Sequence, residues 1–303
     1  MQQIASNLSV LMQAPIFNLG LLIDGVLIGA IFALAGYGLA LVWGVMNVKN
    51  LAQGDFIMIG GYLTWLLGKH GIHPLFGVPV AFVVLWGIGN LIYRTVICKV
   101  ISRDLFTSLL ATFGIAIVIQ QGLNLAFGPD TQTADAQLPT WDLANGLITV
   151  TTTRLIGFGL AAMLALAVIL FMKGSRMGQA IRATAQDARA ARVLGIDTEK
   201  VYAFTFSLNA AICGAAGALV AMVWNVQPFM GTTYSIRLFV VVTAAGFGNL
   251  PGVIAAGFGM GVFEQFGGFI FGAQFQQALI VIMLLLVLAT RQLQQRRLRQ
   301  AVQ

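Results

Sequence analysis

Apolar residues along this chain come in long runs punctuated by short polar or basic stretches. A helix needs about 20 apolar residues to cross roughly 30 Å of hydrocarbon while satisfying its own backbone polar groups. Residues 19–45 form such a run with Asp24 as its only charge, and 75–93, 105–127 and 155–172 carry none. The stretch 201–236 is also uncharged, but Pro228 and the polar residues around it predict a helix ending near Trp224. Residues 252–271 contain Glu264, and 275–290 are free of charge. Two runs, 56–68 and 238–248, are short enough to be half-membrane helices, and residues 4–17 leave room for an interfacial helix. The pattern predicts an all-α, polytopic membrane bundle of about eight or nine segments. It forms one domain over 1–303, with spans in 19–172, a polar connection at 173–200, further spans in 201–290 and a basic tail at 291–303.

Within the runs, small residues recur at helix-packing spacing: Gly25, Gly29 and Ala33; Ala210, Gly214 and Ala218; Gly257 and Gly261. Such rows let backbones approach closely inside lipid. Two segments interrupt the apolar pattern in a similar way. One runs from Trp43 through Asn50, Leu51, Ala52, Gln53 and Gly54 to Asp55; the other runs from Ala245 through Gly246, Phe247, Gly248, Asn249, Leu250 and Pro251 to Gly252. Matched interruptions in the two halves of a transporter point to a substrate route, because helix ends and unwound backbone supply dipoles that lipid does not. The competing reading is two ordinary loops, with Asp55 favouring a helix N-terminus through the dipole.

The connection 173–200 holds a stretch of different character. From Gly178 to Gly195 it is alanine-rich, with no interior Gly or Pro, which predicts one helix stopped by Gly195. At 100° per residue Arg182, Gln186 and Arg189 share one face, and Asp187, Ala190 and Leu194 another. Such a two-sided rod serves either as a solvated loop helix or as a knob for a partner.

Composition fixes the class. Of 303 residues, 58% are hydrophobic and 9% charged, with a mean hydropathy of +0.88. A soluble domain carries about 25% charged residues, so the surface of a water-soluble particle this size is out of reach. The net charge of +7 is a matter of position rather than of nucleic-acid binding. Arg94, Lys99 and Arg103 form one group, Lys173, Arg176, Arg182, Arg189, Arg192 and Lys200 a second, and Arg291, Arg296, Arg297 and Arg299 a third. Basic clusters between apolar runs mark cytoplasmic loops. The connection 128–153 carries Asp130, Asp135 and Asp142 and only acidic charge, so it is expected outside and 173–200 inside. Propagating these sides puts the C-terminus in the cytoplasm and the N-terminus outside, with Lys69 a small violation. No Lys or Arg precedes Lys49, so the first span is expected to act as the insertion signal.

Catalytic chemistry finds little support. Cys98 and Cys213 lie far apart, and no GxxxxGK[ST], HExxH or GxSxG string occurs. His70 and His73 have no carboxylate or thiol companion and read as loop residues; Gly257, Gly259 and Gly261 read as packing.

Three stretches together carry a resemblance: Gly178 to Asp187 continuing to Gly195 and Ile196; Asn50 to Asp55 with Gly60, Gly61 and Tyr62; and Gly246 to Gly252. In order and spacing, over almost the whole chain, they resemble the LivH-type permease subunits of bacterial branched-chain amino acid ABC importers, which typically have Phe and His where this chain has Leu51 and Gln53. The resemblance implies a multi-pass inner-membrane subunit working with a second, LivM-like permease or a second copy of itself, two cytoplasmic ATPase subunits and a periplasmic solute-binding protein. ATP and Mg would then be held and hydrolysed on the ATPases, with no cofactor or metal on this chain and no catalysis by it. Asn50, Gln53, Gly54, Asp55, Asn249, Pro251 and Glu264 would line the route. Asp187, Arg189, Arg192, Leu194 and Gly195 would form the coupling element. The solute would be a branched-chain amino acid or a related small polar molecule such as an amide, urea or organic acid. An ion-coupled secondary transporter using Asp24, Asp55 and Glu264 is the competing class.

Overall fold

A computed structural model describes residues 2–101, 103–134, 136, 139–143, 148–246 and 249–300. Asp135, Phe247 and Gly248, named above, lie outside the described residues, as does the tail beyond Gln300. The helices are α1 (Gln2–Gln13), α2 (Pro15–Met46), α3 (Gln53–Lys69), α4 (Gly77–Ile92), α5 (Cys98–Val100), α6 (Leu105–Phe127), α7 (Thr152–Gly174), α8 (Arg176–Gln186), α9 (Ala188–Val193), α10 (Thr198–Val223), α11 (Met230–Ala245), α12 (Leu250–Phe271) and α13 (Gln276–Gln300). A π turn at Tyr93–Ile97 joins α4 to α5, so one continuous rod runs over Pro74–Val100 and carries Arg94 and Lys99 in its last turns. Among the described residues six helices are long and apolar enough to cross a membrane, and α3, α11 and the first part of α13 are shorter apolar helices. The predicted all-α bundle is therefore observed, with α1 in the place left for an interfacial helix. α1 lies across the end of α12, where Asn7 Nδ2 donates to Phe269 O at 2.8 Å.

One local expectation needs correction and two are filled in. The connection 128–153 holds an antiparallel hairpin of β1 (Thr140–Leu143) and β2 (Ile148–Thr151). The basic tail continues the last span as helix, since α13 runs unbroken to Gln300. The single helix predicted over 178–194 is two, α8 and α9, for a reason given below.

The helix α10 sits at the centre, with most of Thr198–Ala221 buried against α2, α3 and α4. The pair α2 and α12 pack antiparallel on the predicted glycine row. A Cβ on Gly25 would lie 2.6 Å from Val262 Cα, and one on Gly29 2.7 Å from Phe258 Cα. Backbones that close depend on dispersion, the force that remains for helix association in lipid. Asp24, the lone charge of its run, is matched by Arg154 at the start of α7, with Nη1 and Oδ1 2.7 Å apart. Hairpin, Asp24, Arg154 and α1 thus share one end of the bundle; α8 and α9 occupy the other.

Candidate functional site

The first interrupted segment is buried. After Met46 the chain turns at Asn47, which adopts the left-handed conformation at φ 53°, and α3 starts only at Gln53. Gln53 Nε2 donates to Ala35 O at 3.4 Å. Ala35 lies eleven residues from both Asp24 and Met46 on α2, about 16 Å from each at 1.5 Å per residue. α3 therefore begins near mid-bundle. It is a helix whose N-terminus sits in the interior, as its short apolar run suggested.

Unpaired backbone groups at that depth are costly, and each carbonyl or amide needs a named partner. Side chains supply several. Thr112 on α6 accepts from Leu51 N at 3.2 Å and donates to Lys49 O at 3.2 Å. Ser235 on α11 donates to Leu51 O at 2.8 Å and accepts from Gly54 N at 2.9 Å. Asn50 Oδ1 accepts from Ala52 N at 3.1 Å. Below them lies a closed amide cluster: Gln53 Nε2 donates to Asn209 Oδ1 at 2.8 Å and to Cys213 Sγ at 2.7 Å, while Gln53 Oε1 accepts from Asn209 Nδ2 at 2.9 Å and Asn50 Nδ2 at 3.3 Å. Asn50, Gln53, Asp55 and Asn209 are all fully buried. Gly54 fits against Gly231 of α11 so tightly that a side chain there would run into Gly231 O. Asp55 occupies the first turn of α3, where the dipole favours it, and its Oδ1 accepts from Gln120 Nε2 at 2.8 Å.

The second interruption behaves differently. Asn249 is an exposed N-cap of α12: its Oδ1 accepts from Gly252 N at 3.1 Å and its Nδ2 donates to Ala245 O at 3.3 Å. Pro251 follows in the first turn, where a missing N–H does no harm. Among the described residues no hydrogen bond joins Asn249 to the Asn50–Gln53 cluster, so the two segments are matched in sequence but not in setting.

Glu264 sits elsewhere again. Its Oε1 meets Arg237 Nε of α11 at 2.6 Å, with the two side chains 7% and 13% exposed. The Arg237 guanidinium stacks over Tyr234 at 4.9 Å and Phe32 at 5.7 Å. The pair lies in the wall of a cavity of about 420 Å³ lined also by Trp224, Gln227, Thr233 and Gln276. Asn225 and Gln227 line that cavity on either side of Val226, whose backbone pairs with Gln132, so it belongs to the hairpin end of the bundle. Arg237 escaped the sequence reading, as did Asn209, Cys213, Ser235, Thr112 and Gln120. They fall two to a helix, Asn209 and Cys213 on α10, Ser235 and Arg237 on α11, Thr112 and Gln120 on α6, among other polar residues, and only packing identifies their partners. His73 caps a turn, accepting from Leu75 N at 3.3 Å, in keeping with a loop role. Among the described residues no three His, Cys, Asp or Glu side chains gather as metal ligands.

At the other end, α8 stops at Asp187 and α9 begins there. Asp187 is extended (φ −154°, ψ 106°), and its Oδ1 accepts from Arg189 N at 2.8 Å and Ala190 N at 3.0 Å. A carboxylate that caps two amides outcompetes the alanine-driven continuation, and those amides hold Asp187 below the usual carboxylate range, Ala190 first and then Arg189. Arg182 turns back to Met172 O, and Arg192 Nε donates to Thr198 Oγ1 at 2.7 Å. Gly195 ends the unit as predicted, at φ +83°, with Ile196 N reaching Ala191 O at 3.0 Å. Just before it, Val193 is 88% and Leu194 79% exposed, so two apolar side chains stand off the end of α9 uncovered.

Comparison with known proteins agrees with this picture. A family model described as branched-chain amino acid transport system / permease component matches residues 21–288. The high-affinity branched-chain amino acid transport system permease protein LivH of Salmonella typhimurium is 28% identical over 88% of this chain and 91% of its own. BraD of Pseudomonas aeruginosa, a permease protein of the same description, is 27% identical over 89% and 92%. In fold, the chain is similar to PsaBC from Streptococcus pneumoniae, solved in complex with Fab, at a TM-score of 0.51 and 14% identity over 94% of this chain and 95% of that one.

Proposed function

The chain belongs to the family of branched-chain amino acid transport system permease components, and on that premise we propose that it forms, with a second permease, the translocation path for a branched-chain amino acid or a closely related small polar solute. Family and apolar helices together make it a multi-pass protein of the bacterial inner membrane. In our reading ATP and Mg are handled on two separate ATPase subunits, and a periplasmic solute-binding protein delivers the solute to the hairpin end. Asn50, Gln53, Gly54 and Asp55, buried and paired within the chain, fix the interior start of α3 beside the route. Glu264 and Arg237 stand higher, at the cavity. Asn249 and Pro251 shape the start of α12.

One observation carries the coupling part: the uncovered Val193 and Leu194 at the end of the capped α9. A chain without a phosphate loop can be driven by ATP only through contact with a protein that binds it. Two apolar side chains held off the bundle by Asp187 and Gly195 suit an apolar cleft on such a partner, with Arg189 and Arg192 alongside. Because Leu194 touches little of its own chain, Leu194→Asp should leave the bundle folded while abolishing recovery of the ATPase in a pull-down and uptake in the same cells. Gly195→Val should do the same by straining a positive φ. Retention of ATPase and import by both variants, or uptake that runs on a proton gradient with no ATPase present, would hand the function to the ion-coupled reading.

A further inference from the structure

Resting on the transport reading, we propose that the Arg237–Glu264 pair is a reception site for zwitterionic α-amino acids, which open it by exchanging one ion pair for two. Nε of Arg237 is committed to Glu264 Oε1 at 2.6 Å, and the fork has four further N–H donors. Stacking on Tyr234 and Phe32 fixes the guanidinium in place, so its position does not depend on Glu264 alone. The pair borders a cavity of about 420 Å³, within the range of small-ligand sites, whose wall mixes amides and hydroxyls (Gln227, Thr233, Gln276) with Trp224 and Met230. The first set suits a polar backbone and the second an aliphatic side chain.

The selectivity follows from charge balance. A buried ion pair resists separation unless each partner finds a replacement of opposite sign. An α-amino acid brings both: its carboxylate takes Arg237 and its ammonium takes Glu264, so no charge is left uncompensated. A carboxylic acid of the same shape would strand Glu264, an amine would strand Arg237, and urea or an amide brings no charge with which to part the pair. Each of these is disfavoured relative to the zwitterion by roughly 100-fold or more. Of the solutes the sequence allowed, the pair selects the amino acid.

The test reads occupancy without relying on transport. Thr233→Cys is placed in the full assembled transporter in right-side-out vesicles, and its modification by an impermeant thiol reagent is followed with leucine, isovalerate, isoamylamine or isovaleramide at matched concentrations. Leucine should slow labelling strongly and the other three should not; the contrast needs no change to the pair itself. The double variant Arg237→Gln/Glu264→Gln, which removes both charges together, should label at the unprotected rate whether or not leucine is present. Equal protection by isovalerate or isoamylamine, absence of protection by leucine, or protection that survives in the double variant overturns the proposal. ATP-driven uptake measured on the same vesicles reports on the transport reading separately, and its persistence after any of those results would leave that reading standing.

Discussion

The Gln53–Asn209 amide pair offers a quantitative test of whether the interior start of α3 is a structural hub. Gln53→Leu keeps approximate size but removes the acceptor of Asn209 Nδ2 and of Asn50 Nδ2, both fully buried. Stranding a buried donor costs about 1–3 kcal/mol, which gives roughly 2–6 kcal/mol for two. Interhelical hydrogen bonds in membrane proteins fall at the weak end, averaging about 0.6 and reaching about 1.7 kcal/mol by double-mutant cycles, so a loss of about 2–3 kcal/mol is expected. Asn209→Ala, chosen over a larger side chain because Gly38 packs directly on Asn209 Oδ1, should lose a comparable amount. The double variant should then fall short of the sum by about 1 kcal/mol, since the second substitution removes a partner already orphaned. Unfolding of the purified chain in mixed micelles, followed by tryptophan fluorescence, measures all four corners. Additivity within about 0.5 kcal/mol would refute the reasoning: the two amides, though 2.8 Å apart, would not be supporting each other.

Three further outcomes follow from other parts of the molecule. A cysteine at exposed Thr140 in the hairpin should react with an impermeant thiol reagent in intact spheroplasts and one at equally exposed Gln186 should not; reversed labelling would invert the topology. Asn249→Asp keeps the oxygen that caps α12 and should hold its stability, whereas Asn249→Leu should lose about 1 kcal/mol; equal loss of uptake by both would make the side chain part of the route rather than a cap. Asp187, held low by the amides of Ala190 and Arg189, contributes its cap above the unfolded carboxylate's pKa of about 3.9 and loses it as pH falls through the lower folded value. Protection of the α9 amides, taken relative to their intrinsic exchange rate at each pH, should therefore hold from neutral pH down to about 4 and fall only in stronger acid, and should be low at all pH values in Asp187→Ala but not in Asp187→Asn.

Hydropathy and charge made most of the bundle legible, because a lipid solvent imposes length and composition on every span. The glycine row of α2 and α12 was readable for a similar reason: close approach admits few residues. Hydrogen-bond partners were not. An interrupted segment can be seen in sequence, but whether its polar groups face water or the interior depends on what packs opposite, and this is why Asn50 and Asn249 look alike in the chain and differ in space. Asp187 shows a second limit. Summed helix propensity over 178–194 favours one rod, yet a single side chain that satisfies two amides at a bend prevails over many small preferences. In the hairpin, the β-branched run of Ile148–Thr151 is the available signal, and it is weak beside the membrane pattern of the flanking spans.

Arg237 shows what a charge means in such a chain. Read along the sequence it merely separates one apolar stretch from the next, since a lone charge between apolar runs is the ordinary mark of a boundary. In the fold it lies inside α11, over the rings of Tyr234 and Phe32, and meets a carboxylate 27 positions further on. Glu264 by itself suggested a membrane-embedded acid awaiting an explanation, and Arg237 by itself only a break between two apolar runs. Together the two cancel in charge and satisfy the lipid's requirement, and on the proposal above a singly charged solute would strand one partner where a zwitterion strands neither.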